Sequence, residues 1–201
     1  MLRYFYKIIG SDTAVKKRNL TKEKIIQIAF SLADEIGLDK VTFQKLAEKL
    51  DIKSPSLYNH FSNMSDLKIS MTTYLLNSLN FKLMQDLVGK SGEAAVKIFA
   101  YTYKDFAMEN KTAYRLFLST KTTENEEVNR MAKETNNIIL QVLSFYIKND
   151  VDLIHKSRAL RSLLHGYVSL SSLGYFQNKV DSEDSFRIMI DDFILSLSKN
   201  T

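Results

Sequence analysis

Apolar residues recur at three- and four-residue intervals along almost the whole chain, and the strict alternation that marks half-buried strands does not occur. Ile25, Ala29, Leu32 and Ile36 trace one buried stripe, which predicts a helix opening at Thr21 and ending at Gly37. Phe43, Leu46, Ala47 and Leu50 predict a second helix over Thr42–Leu50, with the Thr42 hydroxyl capping its first N–H groups. Asp51 and Ile52 leave room only for a tight turn. Ser54 then offers another N-cap, and Pro55 falls at the first helical position, where its missing N–H costs nothing. Leu57 and Phe61, four apart, mark the inward side of this brief helix.

Longer periodic segments follow. One helix is expected from Ser65 to Val88, broken by the Gly89–Gly92 stretch, and residues 93–119 read as two helices, the first striped by Phe99, Tyr103 and Phe106. Lys121–Glu127 is a polar link, after which Val128, Met131, Thr135, Ile138, Val142 and Phe145 carry a helical stripe to Lys148. Leu160, Leu163, Leu164, Tyr167, Val168 and Ser171 form a broad face. A last helix, opened by Asp181 or Ser182, shows Phe186, Met189, Ile190, Phe193, Ile194 and Leu197. The chain therefore reads as all-α, with about nine helices in all.

Composition agrees with this picture: 201 residues, 45% of them hydrophobic, a single Pro and six Gly suit a helical chain with a sizeable core. No segment offers the twenty or so apolar residues of a membrane helix, so no membrane partner is expected. Arg3 and Lys7 interrupt the apolar N-terminus and no small-residue cleavage site follows, which argues against a signal peptide. Residues 1–18 read as a leader outside the folded part, with Lys16, Lys17 and Arg18 either solvated or reaching nucleic acid. There is no Cys, hence no disulfide or thiolate metal site. The net charge of +5 is unevenly placed, because residues 1–70 hold twelve Lys/Arg against eight Asp/Glu while the remainder is nearly balanced. That basic end carries the Thr42–Phe61 helix pair.

On the brief helix Lys53, Ser54, Ser56, Tyr58, Asn59 and His60 face outward or flank the outer face, and these are phosphate- and base-edge-seeking groups. The same spacing also fits an ordinary corner of a helical bundle. Leu20–Leu67, however, resembles the DNA-binding domain of the tetracycline-repressor (TetR/AcrR) family: Gly37 before Thr42, the Leu46–Ala47 pair, then Leu57-Tyr58-Asn59-His60-Phe61, with Leu67 early in the following helix. Two positions depart from the family pattern, Asp51 where the turn usually carries Gly and Met64 where relatives place a phosphate-contacting Lys. Arg158–Ile194 resembles the C-terminal domain of the branch that carries His-Gly, here His165-Gly166, followed by Gly174-Tyr175-Phe176; a Trp usual four residues before the His is Arg161.

The resemblance implies a helix-turn-helix domain over 19–66 and an effector-binding and dimerisation domain over 67–201. It implies a cytoplasmic homodimeric repressor that binds a palindromic operator in double-stranded DNA and is released by an unidentified small molecule. A DNA-binding dimer acting as activator or architectural protein, without an effector, is the alternative. Thr42 and Tyr58 are expected on phosphates and Ser56 and Asn59 nearest the base edges, with Lys53, Ser54 and His60 beside them. Tyr103, Tyr114, Phe117, Phe145 and His165 are the candidates for an effector pocket. Leu164, Tyr167, Val168, Phe186, Ile190, Phe193 and Ile194 are the candidates for the subunit interface. His60, His155 and His165 include no i, i+4 pair, and neither a Ser-His-acid set nor a Gly-rich phosphate loop occurs, so no metal, no other cofactor and no catalysis are expected.

Overall fold

The computed structural model describes residues 20–121 and 124–198. The expected leader and its basic run lie outside the described residues. Among these are eight α-helices: α1 (Lys22–Ile36), α2 (Phe43–Lys49), α3 (Met64–Leu87), α4 (Gly92–Glu109), α5 (Lys111–Ser119), α6 (Glu126–Leu143), α7 (Asp150–Ser172) and α8 (Ser182–Ser198). Two 3-10 helices, Leu38–Lys40 and Ser54–Asn59, complete the set, and the described residues contain no strand.

Two compact units form. The first contains the described residues up to Ser78 together with Asn110–Asn129; the second contains Leu79–Glu109 and the described residues from Arg130 onward. This is not the linear division expected at residue 66. The reason is α3, whose 24 residues run about 36 Å without a break and so belong to both units. Helix α5 joins the first unit through its buried Ala113, Tyr114 and Leu116.

In the first unit Ile25, Ala29 and Leu32 of α1 meet Phe43, Leu46 and Ala47 of α2 in a core that also takes Leu57, Phe61 and Leu67. The helix starts follow the side chains that can satisfy their first N–H groups: Thr21 Oγ1 accepts from Lys24 N at 3.3 Å, and Thr42 Oγ1 from Lys45 N at 3.3 Å. Ser54 does not act as the expected cap. Lys53 holds the capping position without a side-chain hydrogen bond, Pro55 follows in the first turn, and the element is 3-10 rather than α. At the start of α3 Asn63 Oδ1 accepts from Asp66 N at 2.9 Å, and the Asp66 carboxylate accepts from Ser62 N at 2.8 Å.

In the second unit Phe99 and Phe106 of α4, Leu160, Leu164 and Val168 of α7, and Phe186, Ile190 and Leu197 of α8 are all buried. Polar groups inside it are paired. Asn80, 1% exposed, donates to the Met131 carbonyl at 3.0 Å and accepts from Thr135 Oγ1 at 2.6 Å. Lys104, buried on α4, pairs with Asp105 and with Glu183 at the start of α8, its ammonium over the Tyr101 and Phe186 rings. Burial opposes that charge, but the hydrogen bonds to Glu183 and Asp105 outweigh it and hold the amine above its ordinary pKa. Two boundaries differ from expectation. Helix α6 stops at Leu143 instead of Lys148, and Asn149 caps α7 by accepting from Val151 N and Asp152 N at 2.9 and 3.0 Å. Helix α7 ends where Tyr175 N bonds the Leu170 carbonyl at 3.0 Å and Gly174 N bonds that of Ser171 at 3.1 Å, with Gly174 at φ 76°.

Asp51 is the one non-glycine residue at positive φ among the described residues, at 52°. That left-handed conformation lets Ile52 N reach the Ala47 carbonyl at 3.0 Å and turns the chain into the 3-10 helix. An L side chain there is strained by about 1 kcal/mol, less for Asp than for a β-branched residue. Asp51→Gly should therefore raise the stability of the first unit by about 0.5–1 kcal/mol and Asp51→Val should lower it by at least as much. Urea titration followed by circular dichroism checks both; a stabilising valine would contradict the strained turn.

Candidate functional site

The outer face of the Ser54–Asn59 helix is built from the inside out. Leu57 is fully buried and Phe61 is 1% exposed. Their two side chains contribute roughly 1.5–3 kcal/mol each by leaving water. With those anchors fixed, the Ser56 N–H bonds the Lys53 carbonyl at 2.9 Å and the His60 N–H the Leu57 carbonyl at 2.9 Å. Three residues per turn bring Lys53, Ser56 and Asn59 into one row, since i and i+3 eclipse in this geometry. The Tyr58 ring packs edge-on to Phe43 of α2, centroids 5.0 Å apart, while the residue stays 60% exposed. Its hydroxyl is thus aimed by a buried ring and left in water.

Lys53, Tyr58, Asn59 and Thr42 are exposed, and Ser54, Ser56 and His60 are half-buried along the same edge. Among the described residues the side chains of Ser56, Asn59 and the Tyr58 hydroxyl make no hydrogen bond to the protein, so their donors and acceptors are open to an outside partner. Thr42 Oγ1 accepts its capping bond and keeps its own proton to donate. The cations near this face are not equivalent. Lys49 is tied to Glu35, whose carboxyl it holds below the ordinary carboxylate range, first through that hydrogen bond. Met64 begins α3 half-buried. All seven residues expected on DNA keep some exposure in the first unit.

The five residues expected to form an effector pocket are divided between the two units. Tyr103 and His165 do meet: the hydroxyl lies 3.2 Å from Nε2 and the rings stand T-shaped at 5.6 Å. Burial, and secondarily the charge of Arg161, pushes the His165 pKa down to about 4, so the imidazole is neutral near pH 7. Tyr114 and Phe117, 6.2 Å apart, belong to α5 and hence to the first unit. Phe145 is 59% exposed on a turn after α6, where its ring covers Gly92 at 3.2 Å from the position a Cβ would take. A cleft of about 680 Å³ lies in the first unit between the end of α1 and α5, lined by Asp34, Leu38, Asp39, Arg115 and Leu118 among others, and contains none of the five. Sequence periodicity held no signal for it.

The seven residues expected at a subunit interface form part of the chain's own core. Leu164, Tyr167, Val168, Phe186, Ile190, Phe193 and Ile194 are all buried within the single chain. Phe186 packs on Tyr101 at 5.1 Å and on Tyr167 at 4.7 Å, and the Tyr167 hydroxyl donates to the Ser182 carbonyl at 2.8 Å. A stripe that wide is first consumed by the chain's own core. What α7 and α8 leave in water is Val151, Ile154 and Leu170 on one, and Ile188 (52% exposed) and Leu195 (62% exposed) on the other. Ile188 and Leu195 sit seven apart on one helical face, a spacing that could have singled them out.

Comparison with known proteins agrees with this geometry. Residues 25–70 match the family described as bacterial regulatory proteins, tetR family, and residues 96–193 match the tetracyclin repressor-like C-terminal domain. Neither description singles out the His-Gly branch. An uncharacterized HTH-type transcriptional regulator of Bacillus subtilis (strain 168), YobS, is 28% identical over 185 residues, covering 90% of this chain and 94% of that one. Tetracycline repressor protein class D of Escherichia coli is 26% identical over 107 residues, covering 53% of this chain and 49% of its own length. In fold, a TetR variant from Acinetobacter baumannii AYE in complex with minocycline superposes with a TM-score of 0.68 at 20% identity, over 90% of this chain and 98% of that one. A protein of unknown function from Rhodococcus sp. RHA1 gives a TM-score of 0.80 at 13% identity, over 92% of this chain and all of that one. With its helix-turn-helix in the first unit and a repressor-like helical domain behind it, the chain belongs to the TetR family of DNA-binding transcriptional regulators.

Proposed function

We propose that the protein is a homodimeric repressor that binds a palindromic operator and is released by a small-molecule effector. The observation that carries the reading is the Ser54–Asn59 helix, whose Ser56, Tyr58 and Asn59 tips make no hydrogen bond to the described protein and whose neighbour Thr42 keeps its hydroxyl proton free to donate. Thr42 and Tyr58 donate to phosphates, which sets register, and the Ser56–Asn59 row enters the major groove, where hydroxyl and amide groups read base edges. Lys53 begins that row and Ser54 and His60 flank it. Each subunit reads one half-site, and two-fold symmetry places the two reading elements about one DNA turn apart, roughly 34–36 Å.

Dimerisation supplies the second half-site. The outer faces of α7 and α8, with Leu170, Ile188 and Leu195, hold apolar surface that a symmetry mate would cover. Helix α3 contributes residues to both units, so an effector bound in the second unit can act on the reading element through one continuous helix. The minocycline complex of the A. baumannii relative supports such a role for this kind of domain. An effector held beside the Tyr103–His165 pair would meet a phenol and a neutral imidazole. It must favour the released conformation, because equal affinity for both shifts nothing. Action on DNA places the protein in the cytoplasm as a regulator and not an enzyme; no described helix is long and apolar enough to cross a membrane.

Tyr58→Phe should weaken binding to every duplex by a similar factor, whereas Asn59→Ala should lower the preference for the selected operator over scrambled duplex by about 1–3 kcal/mol. Anisotropy titrations on both duplexes separate the two effects. An Asn59→Ala protein that loses affinity equally on both would remove Asn59 from base reading.

Replacing Ile188 or Leu195 with Asp should give folded monomers by light scattering, because a charge would then face the partner's apolar surface. Phe193→Asp should instead unfold the second unit, since Phe193 is 6% exposed within its own chain. A fully dimeric Ile188→Asp, Leu195→Asp double variant would rule out this face.

A further inference from the structure

We infer that Lys22, in the first turn of α1, supplies the phosphate-binding cation at the far end of the reading element. This rests on the DNA-binding reading above and adds a residue that the helix-turn-helix segment does not itself contain.

From Ser54 to Leu67 the chain has no Lys or Arg, and its one acidic residue is Asp66. Lys53 provides a cation where the reading element begins. Where it ends, no Lys or Arg follows until Lys68 on α3, and the one carboxylate, Asp66, is occupied in capping the Ser62 N–H. The fold corrects the deficit from elsewhere. Lys22 Nζ lies 5.6 Å from the centroid of the Phe61 ring, and Phe61, 1% exposed, follows directly on His60. The Phe61 N–H is held to the Leu57 carbonyl at 3.0 Å, so the ring that receives the ammonium is part of the same rigid turn.

The kind of contact matters. An aromatic face attracts an ammonium without neutralising its charge, unlike a carboxylate, and leaves N–H donors free for a phosphate oxygen. Lys22 is exposed and makes no ion pair among the described residues. Its neighbour Glu23 is held below the ordinary carboxylate range first by its own backbone N–H and the Thr21 side chain, and only lastly by the charge of Lys22. Lys49, by contrast, is consumed by Glu35. Lys24, also exposed, stands roughly 200° around α1 from Lys22 and so projects to a different side of the helix. Position, and not the basic character of the segment, marks Lys22.

The test is a NaCl titration of binding to a fluorescein-labelled random-sequence duplex by wild type, Lys22→Ala, Lys22→Arg and Lys24→Ala, each checked for folding by thermal melting. Loss of one phosphate contact per subunit should flatten the log–log salt slope of Lys22→Ala by about 0.9 per subunit, while Lys22→Arg and Lys24→Ala keep the wild-type slope. Lys22→Gln, which retains the aliphatic stem over Phe61, serves in the same way if the alanine form melts early. An unchanged slope for folded Lys22→Ala or Lys22→Gln overturns the assignment while leaving the DNA-binding reading intact. So does equal flattening by Lys24→Ala, which would mean that net charge alone is sensed. A wild type that binds no duplex overturns both.

Discussion

Neither the seven residues of α2 nor the six of the following 3-10 helix could hold a helical conformation alone in water, because nucleation costs more than so few hydrogen bonds return. They exist because Leu46, Leu57, Phe61 and Leu67 close over the Ile25–Ala29–Leu32 stripe of α1. Everything the first unit presents to the outside depends on that burial. It fixes Phe43, Phe43 fixes the Tyr58 ring, and the turn through Asp51 sets the direction in which the Lys53–Ser56–Asn59 row points. The same closure brings the first turn of α1 beside Phe61.

The second unit follows a different rule. Its interior is apolar, but the polar groups it encloses are paired: Asn80 with Thr135 and the Met131 carbonyl, and Lys104 with two carboxylates. Lys104–Glu183 and Lys97–Asp191 both tie α4 to α8, one near each end of the contact. Such pairing fixes how these helices sit on one another more than it adds net stability, since desolvation offsets much of the Coulomb gain for Lys104 and water screens the exposed Lys97 pair.

Helix existence and the helix-turn-helix were legible in the sequence because both rest on local signals. Thr21 and Thr42 cap where their positions implied, and the inward residues Leu57 and Phe61 are among the most buried in the chain. The 3-10 character of the Ser54–Asn59 helix was not legible, since a four-residue spacing of Leu57 and Phe61 suits an α-helix and the difference lies in backbone hydrogen bonds. The expected interface rests on the same kind of signal. Periodicity reports that Phe186, Ile190 and Phe193 are apolar on one side, but it cannot distinguish a face that meets the same chain from one that meets another. Tyr114 and Phe117 were grouped with Tyr103 because all are aromatic in central helices; α5 belongs to the first unit and Tyr103 to the second. Lys22 beside Phe61 is a contact across 39 residues of sequence, which no local pattern encodes.

The central claim is that two copies of the Ser54–Asn59 edge read DNA from one side of the duplex. Hydroxyl-radical footprinting on a duplex selected for binding by the full protein tests it most directly. The account predicts two protected patches on one face of the DNA, related by a two-fold axis and centred about 10–10.5 base pairs apart. A single uninterrupted patch, or protection without two-fold symmetry, would contradict it.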